Sequence, residues 1–237
     1  DLAPEYTLSF EIGFKEIIDE KTSWNFNLFR TVTKNVIDYA YVWDATVALD
    51  VLGTDPSRDD YRGDRYINTS EQLAYGIELG IIRDISDEVR LEMTATLLDG
   101  HTVVGDFSSD SLLRYQLYSN GVFLADEATL EGLVRRPSTV GLSLQYSPTD
   151  QLTGNLRLQY TGIRSDVYYD SKLGPYGALN TKPVSAYTLV HASLDYRPDA
   201  HWRVTLRLEN LLNVDYQEIY GFSSRGRGLQ VGAAYHF

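Results

Sequence analysis

Cysteine is absent from the 237-residue chain, and methionine occurs once. The first absence excludes a disulfide scaffold, a thiolate nucleophile and a cysteine-based zinc site. It suits an oxidising compartment. Basic residues are scarce: 21 Lys and Arg stand against 33 Asp and Glu, a formal charge of −12. That balance excludes a general nucleic-acid binder, which shows a basic face. The sequence has no apolar run of the roughly 18 residues a transmembrane helix needs. The opening residues, Asp1 to Glu5, do not read as a signal peptide. Taken together, these figures describe an acidic soluble protein. The order of the residues contradicts them.

Apolar and polar residues alternate with period 2, the signature of a strand with two unlike faces. Trp202, Val204, Leu206 and Leu208 alternate with Arg203, Thr205, Arg207 and Glu209. Val89, Leu91, Met93, Ala95 and Leu97 alternate with Arg90, Glu92, Thr94 and Thr96. The pattern recurs around residues 6–15, 24–28, 75–81, 140–146, 156–160, 190–196 and 229–237. Short polar turns at 19–21, 84–87, 147–150 and 198–200 alternate with long connections at 51–62, 100–136, 165–184 and 213–225. A soluble β-sandwich also has period-2 strands. Long strands, charged polar faces and aromatics near strand ends favour a transmembrane barrel with an apolar outer face and a polar lumen. The fold expected is all-β and antiparallel, in the bacterial outer membrane with lipid as its surroundings.

Nine wall strands are expected, at about 5–18, 22–50, 63–83, 88–100, 137–147, 151–164, 185–197, 201–212 and 226–237. The second and third are expected to project beyond the membrane. Within 33–66, Tyr39, Tyr41 and Trp43 offer an alternative separate strand. With an odd count, the first and last strands run in the same direction. Bacterial single-chain barrels almost always close antiparallel with an even number, and an open edge in lipid strands its backbone polar groups. The nine or ten strands therefore read as a portion of a larger barrel.

The segment Glu209-Asn210-Leu211-Leu212-Asn213-Val214-Asp215-Tyr216, then Tyr220-Gly221-Phe222, Arg225-Gly226-Arg227 and a final strand ending Tyr235-His236-Phe237, resembles the closing motif of TonB-dependent outer-membrane receptors. Glu11-Ile12-Gly13-Phe14-Lys15 with Asn27-Leu28-Phe29-Arg30, Asn68 with Gly76-Ile77-Glu78-Leu79, and Arg136-Pro137 are similar to further family stretches. The resemblance implies a 22-stranded barrel around an N-terminal plug. It also implies active uptake of a scarce large nutrient (a ferric siderophore, haem or cobalamin) energised through TonB. On this reading residues 1–237 are the C-terminal portion of the barrel, without the plug through which TonB acts.

Candidate site residues follow from position. External aromatics suit a large nutrient chelate: Tyr39, Tyr41, Trp43, Tyr115, Tyr118, Tyr168, Tyr169, Tyr176, Tyr220 and Phe222. Glu78, Arg90, Glu92, Arg157, Arg203, Arg207 and Glu209 are expected in the lumen, as ion-pair ladders facing the plug. Arg203 and Arg207 are candidates to hold plug carboxylates. Leu229, Val231, Ala233, Tyr235 and Phe237 are, by the resemblance, the signal read by the barrel-assembly machinery. Asp55, Asp59, Asp60 and Asp64 form a weak calcium candidate inside a solvated loop interrupted by arginines. No metal, cofactor or catalytic residue is otherwise expected. Two alternatives remain: an outer-membrane protease or phospholipase using His101 with Asp99 or Asp106, and a small passive pore.

Overall fold

A computed structural model describes residues 2–44, 61–68, 70–104, 115–119, 122–124, 128–131, 133–172 and 177–237. The wall is a single antiparallel sheet of nine strands in the order β1 (Tyr6–Asp19), β2 (Thr22–Lys34), β5 (Ser70–Asp84), β6 (Val89–Val104), β10 (Thr139–Thr149), β11 (Leu152–Thr161), β14 (Tyr187–Tyr196), β15 (Trp202–Glu209) and β16 (Gly228–Tyr235). A tenth, β9 (Ala128–Glu131), pairs with the outer end of β6. β1 and β16 stand at opposite ends of this sheet and, as the first and last of nine antiparallel strands, run in the same direction. The sheet is a section of barrel wall.

The register sorts the two faces. One row runs Trp24–Ile81–Met93–Leu142–Leu158–Val190; the row beside it runs Leu91–Leu144–Leu156–Ala192–Leu208–Leu229. The opposite face carries Asn27–Glu78–Thr96–Thr139–Thr161 and Arg90–Gln145–Asn155–Ser193–Arg207–Gln230. Large side chains on the apolar face are open to the surroundings, among them Leu156, Leu194 and Val231. A contiguous apolar surface of this extent is untenable in water and matches lipid. At the short-turn end Tyr235 meets Trp202 (ring centroids 5.0 Å), Phe237 (5.1 Å) and His201 (5.6 Å), an aromatic girdle. At the other end polar groups return to this face: Tyr75 donates from its hydroxyl to Asp99 Oδ2 at 3.4 Å.

Two of the short turns are held by aspartates. Asp19 Oδ1 accepts the Lys21 N–H at 2.8 Å, and Asp199 Oδ1 accepts those of His201 (2.8 Å) and Trp202 (2.9 Å). These bonds hold both carboxyls below the usual carboxylate range.

Two expected strands are not continuous. Residues 22–50 do not form one projecting strand: β2 ends at Lys34, and Asn35 sits at φ 55°. The chain then enters a second sheet, in the order β4 (Tyr61–Asn68), β3 (Ile37–Asp44), β7 (Tyr115–Ser119), β8 (Val122–Leu124). The separate strand for Tyr39, Tyr41 and Trp43 is the one observed. Likewise 63–83 divides into β4 and β5. Asn68 holds the break. Its Nδ2 donates to Asn35 O (2.7 Å) and Ala3 O (2.9 Å), and its Oδ1 accepts Ala3 N–H (2.8 Å). Glu5 Oε1 accepts Ile37 N–H at 2.7 Å. These bonds satisfy backbone groups exposed where one sheet leaves the other.

The segments 100–136 and 165–184 are not plain connections. The first contains β7, β8 and β9, and β6 itself runs on to Val104. Ser119 pairs with Val122, and the two residues between them lie outside the described set. The second contains the hairpin β12 (Arg164–Asp170) and β13 (Ala178–Val184). Strand 151–164 stops at Thr161, and 201–212 stops at Glu209.

Buried apolar side chains gather outside the membrane: Ala40, Tyr41, Val42, Ile67, Ala178 and Val184. This is the water-excluding core, joining the outer sheet to the β12–β13 hairpin through Leu179 N–H, which donates to the Tyr41 hydroxyl at 3.0 Å. Gly177 permits the hairpin. Its φ is +84°, and an added Cβ would lie 2.2 Å from the Tyr169 hydroxyl oxygen. Gly177→Ala should destabilise the hairpin by about 1–2 kcal/mol, read as faster amide exchange in β12 and β13.

Candidate functional site

Two aromatic groups stand at the outer end, beyond the lipid-facing band. In the outer sheet, Tyr39 packs edge-on against Tyr41 (5.3 Å) and Tyr66 (5.2 Å). The Tyr39 hydroxyl donates to Asp64 Oδ2 at 2.6 Å. This bond stabilises the neutral phenol, and with Asp64's charge nearby the Tyr39 hydroxyl is pushed up to about 12. Burial raises Tyr41 as well. Asp64→Asn should bring Tyr39 back toward its ordinary 10.0, visible as an earlier shift of its ring carbon resonance in an alkaline NMR titration.

In the second group, Tyr168 meets Tyr220 at 5.0 Å. Lys182 Nζ donates to the Tyr220 hydroxyl at 2.9 Å and lies 4.8 Å from the ring centroid. Three hidden residues fix this group. Asp166, fully buried on β12, accepts Tyr220 N–H (2.7 Å), Val167 N–H (2.8 Å) and the Arg135 Nε–H. Burial alone would raise its carboxyl, but these donors outweigh it and hold the pKa below the ordinary value. Arg164 Nη2 donates to Gln217 O and Glu218 O, each at 2.6 Å. Asn210 is also buried. Its side chain donates to Val214 O (2.8 Å) and accepts Val214 N–H (2.9 Å), closing the turn after β15. Asn210 and Asn213 take φ of 48° and 53°, a region asparagine enters readily.

The external aromatics divide accordingly. Tyr39 and Tyr41 come together, and so do Tyr168 and Tyr220. Tyr118 is the register partner of Tyr41, and Tyr115 of Asp44; of Tyr115, Tyr118 and Trp43 the backbone alone is described. Tyr169 covers Gly177, Phe222 is exposed, and Tyr176 lies outside the described residues. Tyr66, Lys182, Arg135, Arg164 and Asp166 were not singled out by the sequence pattern. The Arg135-Arg136-Pro137 run was the nearest signal.

All seven expected lumen residues share the polar face. Arg203 Nη2 is 2.6 Å from Asp195 Oδ2, Arg197 Nε is 3.3 Å from Asp195 Oδ1, and Arg90 pairs with Asp84 at 3.6 Å. Arg203 is thus engaged within the wall. Of the calcium candidate only Asp64 is among the described residues, where it accepts the Tyr39 hydroxyl; Asp55, Asp59 and Asp60 lie outside them. Asp99 is engaged by Tyr75 and by Gly100 N–H (2.8 Å), with no bond to His101 among the described residues; Asp106 lies outside them.

The family model for the TonB dependent receptor-like β-barrel matches residues 1–211. The chain belongs to this family. Among solved structures, the ferric-catecholate import receptor Fiu of E. coli matches at 17% identity and a TM-score of 0.64, covering 100% of this chain and 28% of that chain. The FrpB iron transporter of Neisseria meningitidis matches at 17% identity and 0.65, covering 99% and 32%. The pyoverdine outer membrane receptor FpvA of Pseudomonas aeruginosa matches at 15% identity and 0.64, covering 100% and 30%. The chain spans about a third of the length of these receptors. A comparison with curated protein sequences found no match. As a TonB-dependent receptor barrel section, the chain lies in the bacterial outer membrane.

Two family stretches now have physical reasons. Asn68 ties the break between the sheets. At Gly76 an added Cβ would lie 2.3 Å from Leu97 O and 2.7 Å from the ring of Phe29, its cross-strand partner, so the Phe29 ring occupies the space a side chain would need.

Proposed function

We propose that the chain is the C-terminal section of the barrel of a receptor that imports a scarce nutrient chelate, with a ferric siderophore as the leading class. The single observation that carries this is the family match over residues 1–211 combined with two fixed aromatic groups beyond the lipid band. Ferric chelates are large and amphipathic, and rigid aromatics offer contact area at low entropy cost. On this reading Tyr39, Tyr41, Tyr168 and Tyr220 contribute to capture, with Tyr66 and Lys182 added to the original set. Cargo passes without chemical change, so the protein acts as a transporter and not as an enzyme. Energy comes from TonB through a plug that faces Glu78, Arg90, Glu92, Arg157, Arg207 and Glu209. The segment from Leu229 to Phe237 is the one offered to the barrel-assembly machinery.

A strain lacking the gene should lose growth on one member of a panel of ferric catecholates, ferric hydroxamates, haem and cobalamin. Unchanged growth and uptake across the panel would remove the proposal. In the intact receptor, Tyr168→Ala and Tyr220→Ala should each weaken binding of that chelate roughly tenfold, about 1.4 kcal/mol.

A further inference from the structure

At the end remote from the short turns the wall has a gap. β10 pairs with β6 as far as Thr139 and Thr96, and β9 takes over only at Glu131 and His101. On that side residues 97–100 of β6 have no ladder partner among the described residues. Ser138 fills part of the gap: its Oγ accepts the Leu98 N–H at 3.0 Å and donates to Leu98 O at 3.3 Å. A notch of about 180 Å³ remains, lined by Asp99, Arg136, Ser138, Ile163, Arg164 and Ser165 among others.

The notch stands at the edge of the lipid-facing band. Leu97, exposed on the apolar face, comes two residues before Asp99, and Ile163 at the lip of the notch is 70% exposed. The row through Asp99 continues along the sheet as Tyr75, Arg30 and Phe10. Here the apolar face gives way to charges and a tyrosine, as it does where hydrocarbon meets headgroups.

The balance of charge in the notch is positive. Arg135, at φ 59°, donates its N–H to Ser165 O at 2.8 Å and its side chain to Asp166, which anchors the segment carrying Arg136. Arg136 is exposed and has no acidic partner among the described residues. Arg164 is 6% exposed; its Nη2 is spent on Gln217 O and Glu218 O, while its buried Nη1 has no hydrogen-bond partner among the described residues. A buried donor left unmet calls for an acceptor. Asp99, the one carboxylate lining the notch, already accepts the Tyr75 hydroxyl and the Gly100 N–H. Two guanidinium groups against one engaged carboxylate, at the boundary of a lipid-facing surface, match a phosphate, which a guanidinium meets with two parallel bonds.

We infer that the notch binds the phosphate of a lipid headgroup, with Arg136 as the contacting cation. The occupant is a lipid and not a free anion because the apolar face beside the notch, at Leu97, Val140 and Tyr160, receives the acyl chains that carry the phosphate to it. The inference rests on the lipid-facing assignment of the wall, and not on which nutrient is imported.

The test titrates the intact receptor in a neutral detergent with phosphatidic acid and reads bound lipid by native mass spectrometry. The wild type should retain phosphatidic acid, and diacylglycerol with the same chains should bind roughly tenfold more weakly. Arg136→Gln should weaken phosphatidic acid roughly tenfold. Arg225→Gln, at an exposed arginine outside the notch, should leave it unchanged. Diacylglycerol binding as tightly as phosphatidic acid overturns the inference, and so does an Arg136→Gln receptor that binds as the wild type does. Inorganic phosphate that displaces the lipid at equal concentration assigns the notch to a free anion and overturns it too. The wild-type receptor supplies a reading that needs no variant. Phosphatidic acid at ten times its dissociation constant should slow phenylglyoxal modification of Arg136 roughly tenfold and leave Arg225 at its own rate. An unprotected Arg136 overturns the inference. Nutrient uptake is not a readout, so failure here and failure of the transport proposal are distinguishable.

Discussion

Leu206→Arg should destabilise the folded receptor by about 2–4 kcal/mol, the depth-dependent cost of a cation near the bilayer midplane. Leu206 lies on the apolar face between Leu194 and Val231, four residues from Trp202 in the aromatic girdle. Four residues of strand span about 13 Å, and tilt shortens the depth only in part. An arginine stem cannot carry its charge that far, so the guanidinium remains in hydrocarbon or draws water and headgroups toward it. The matched control is Ser143→Arg. Ser143 lies on the polar face beside Glu92 and opposite Arg157, where a wet lumen receives the charge. That change should stay within about 1 kcal/mol. Urea titrations of the receptor in lipid vesicles, followed by tryptophan fluorescence, measure both. Equal effects would mean that the two faces do not meet different solvents.

The same contrast explains what the sequence disclosed. Inside the bilayer the solvent changes at every second residue, so alternation is enforced, and all nine wall strands could be read from it. Beyond the bilayer water returns to both faces and the constraint lapses. Strands β12 and β13 read as a connection because neither sustains an alternation: β12 has Val167 and Tyr169 in line with only Ser165 before them, and β13 runs Asn180-Thr181-Lys182-Pro183 without an apolar residue at every second place. The break at Asn35 was hidden for a different reason. It depends on Asn68 and Ala3, residues 65 apart in sequence whose meeting carries no local signal. The external tyrosines were legible as a set by composition and place. Their grouping into two clusters was not, because it depends on pairing between strands whose boundaries carry no periodic signal.

Asp166→Ala should release the loop that carries Tyr220 while leaving the barrel wall intact. The carboxylate is buried and accepts three donors from three segments, with sequence separations as large as 54 residues. Its removal strands the N–H groups of Tyr220 and Val167. Arg135 is about half exposed and recovers part of its solvation, so the cost falls near the lower end for a broken buried pair, at about 3 kcal/mol. The loss is local because no wall strand uses Asp166. Amide exchange at Tyr220 and Val167 should accelerate roughly 100-fold, with exchange in β10 and β11 unchanged. Acid should reproduce the effect in the wild type. The folded carboxyl lies below its ordinary value of 3.8, so its contribution is complete above that value and is lost as the pH falls through the lower folded one. Asp166→Ala should abolish this acid-dependent step. A step that persists in the variant would assign it to another carboxylate. A loss spread evenly over the wall would show that the loop and the barrel unfold as one unit, and that Asp166 positions more than the aromatic group beside it.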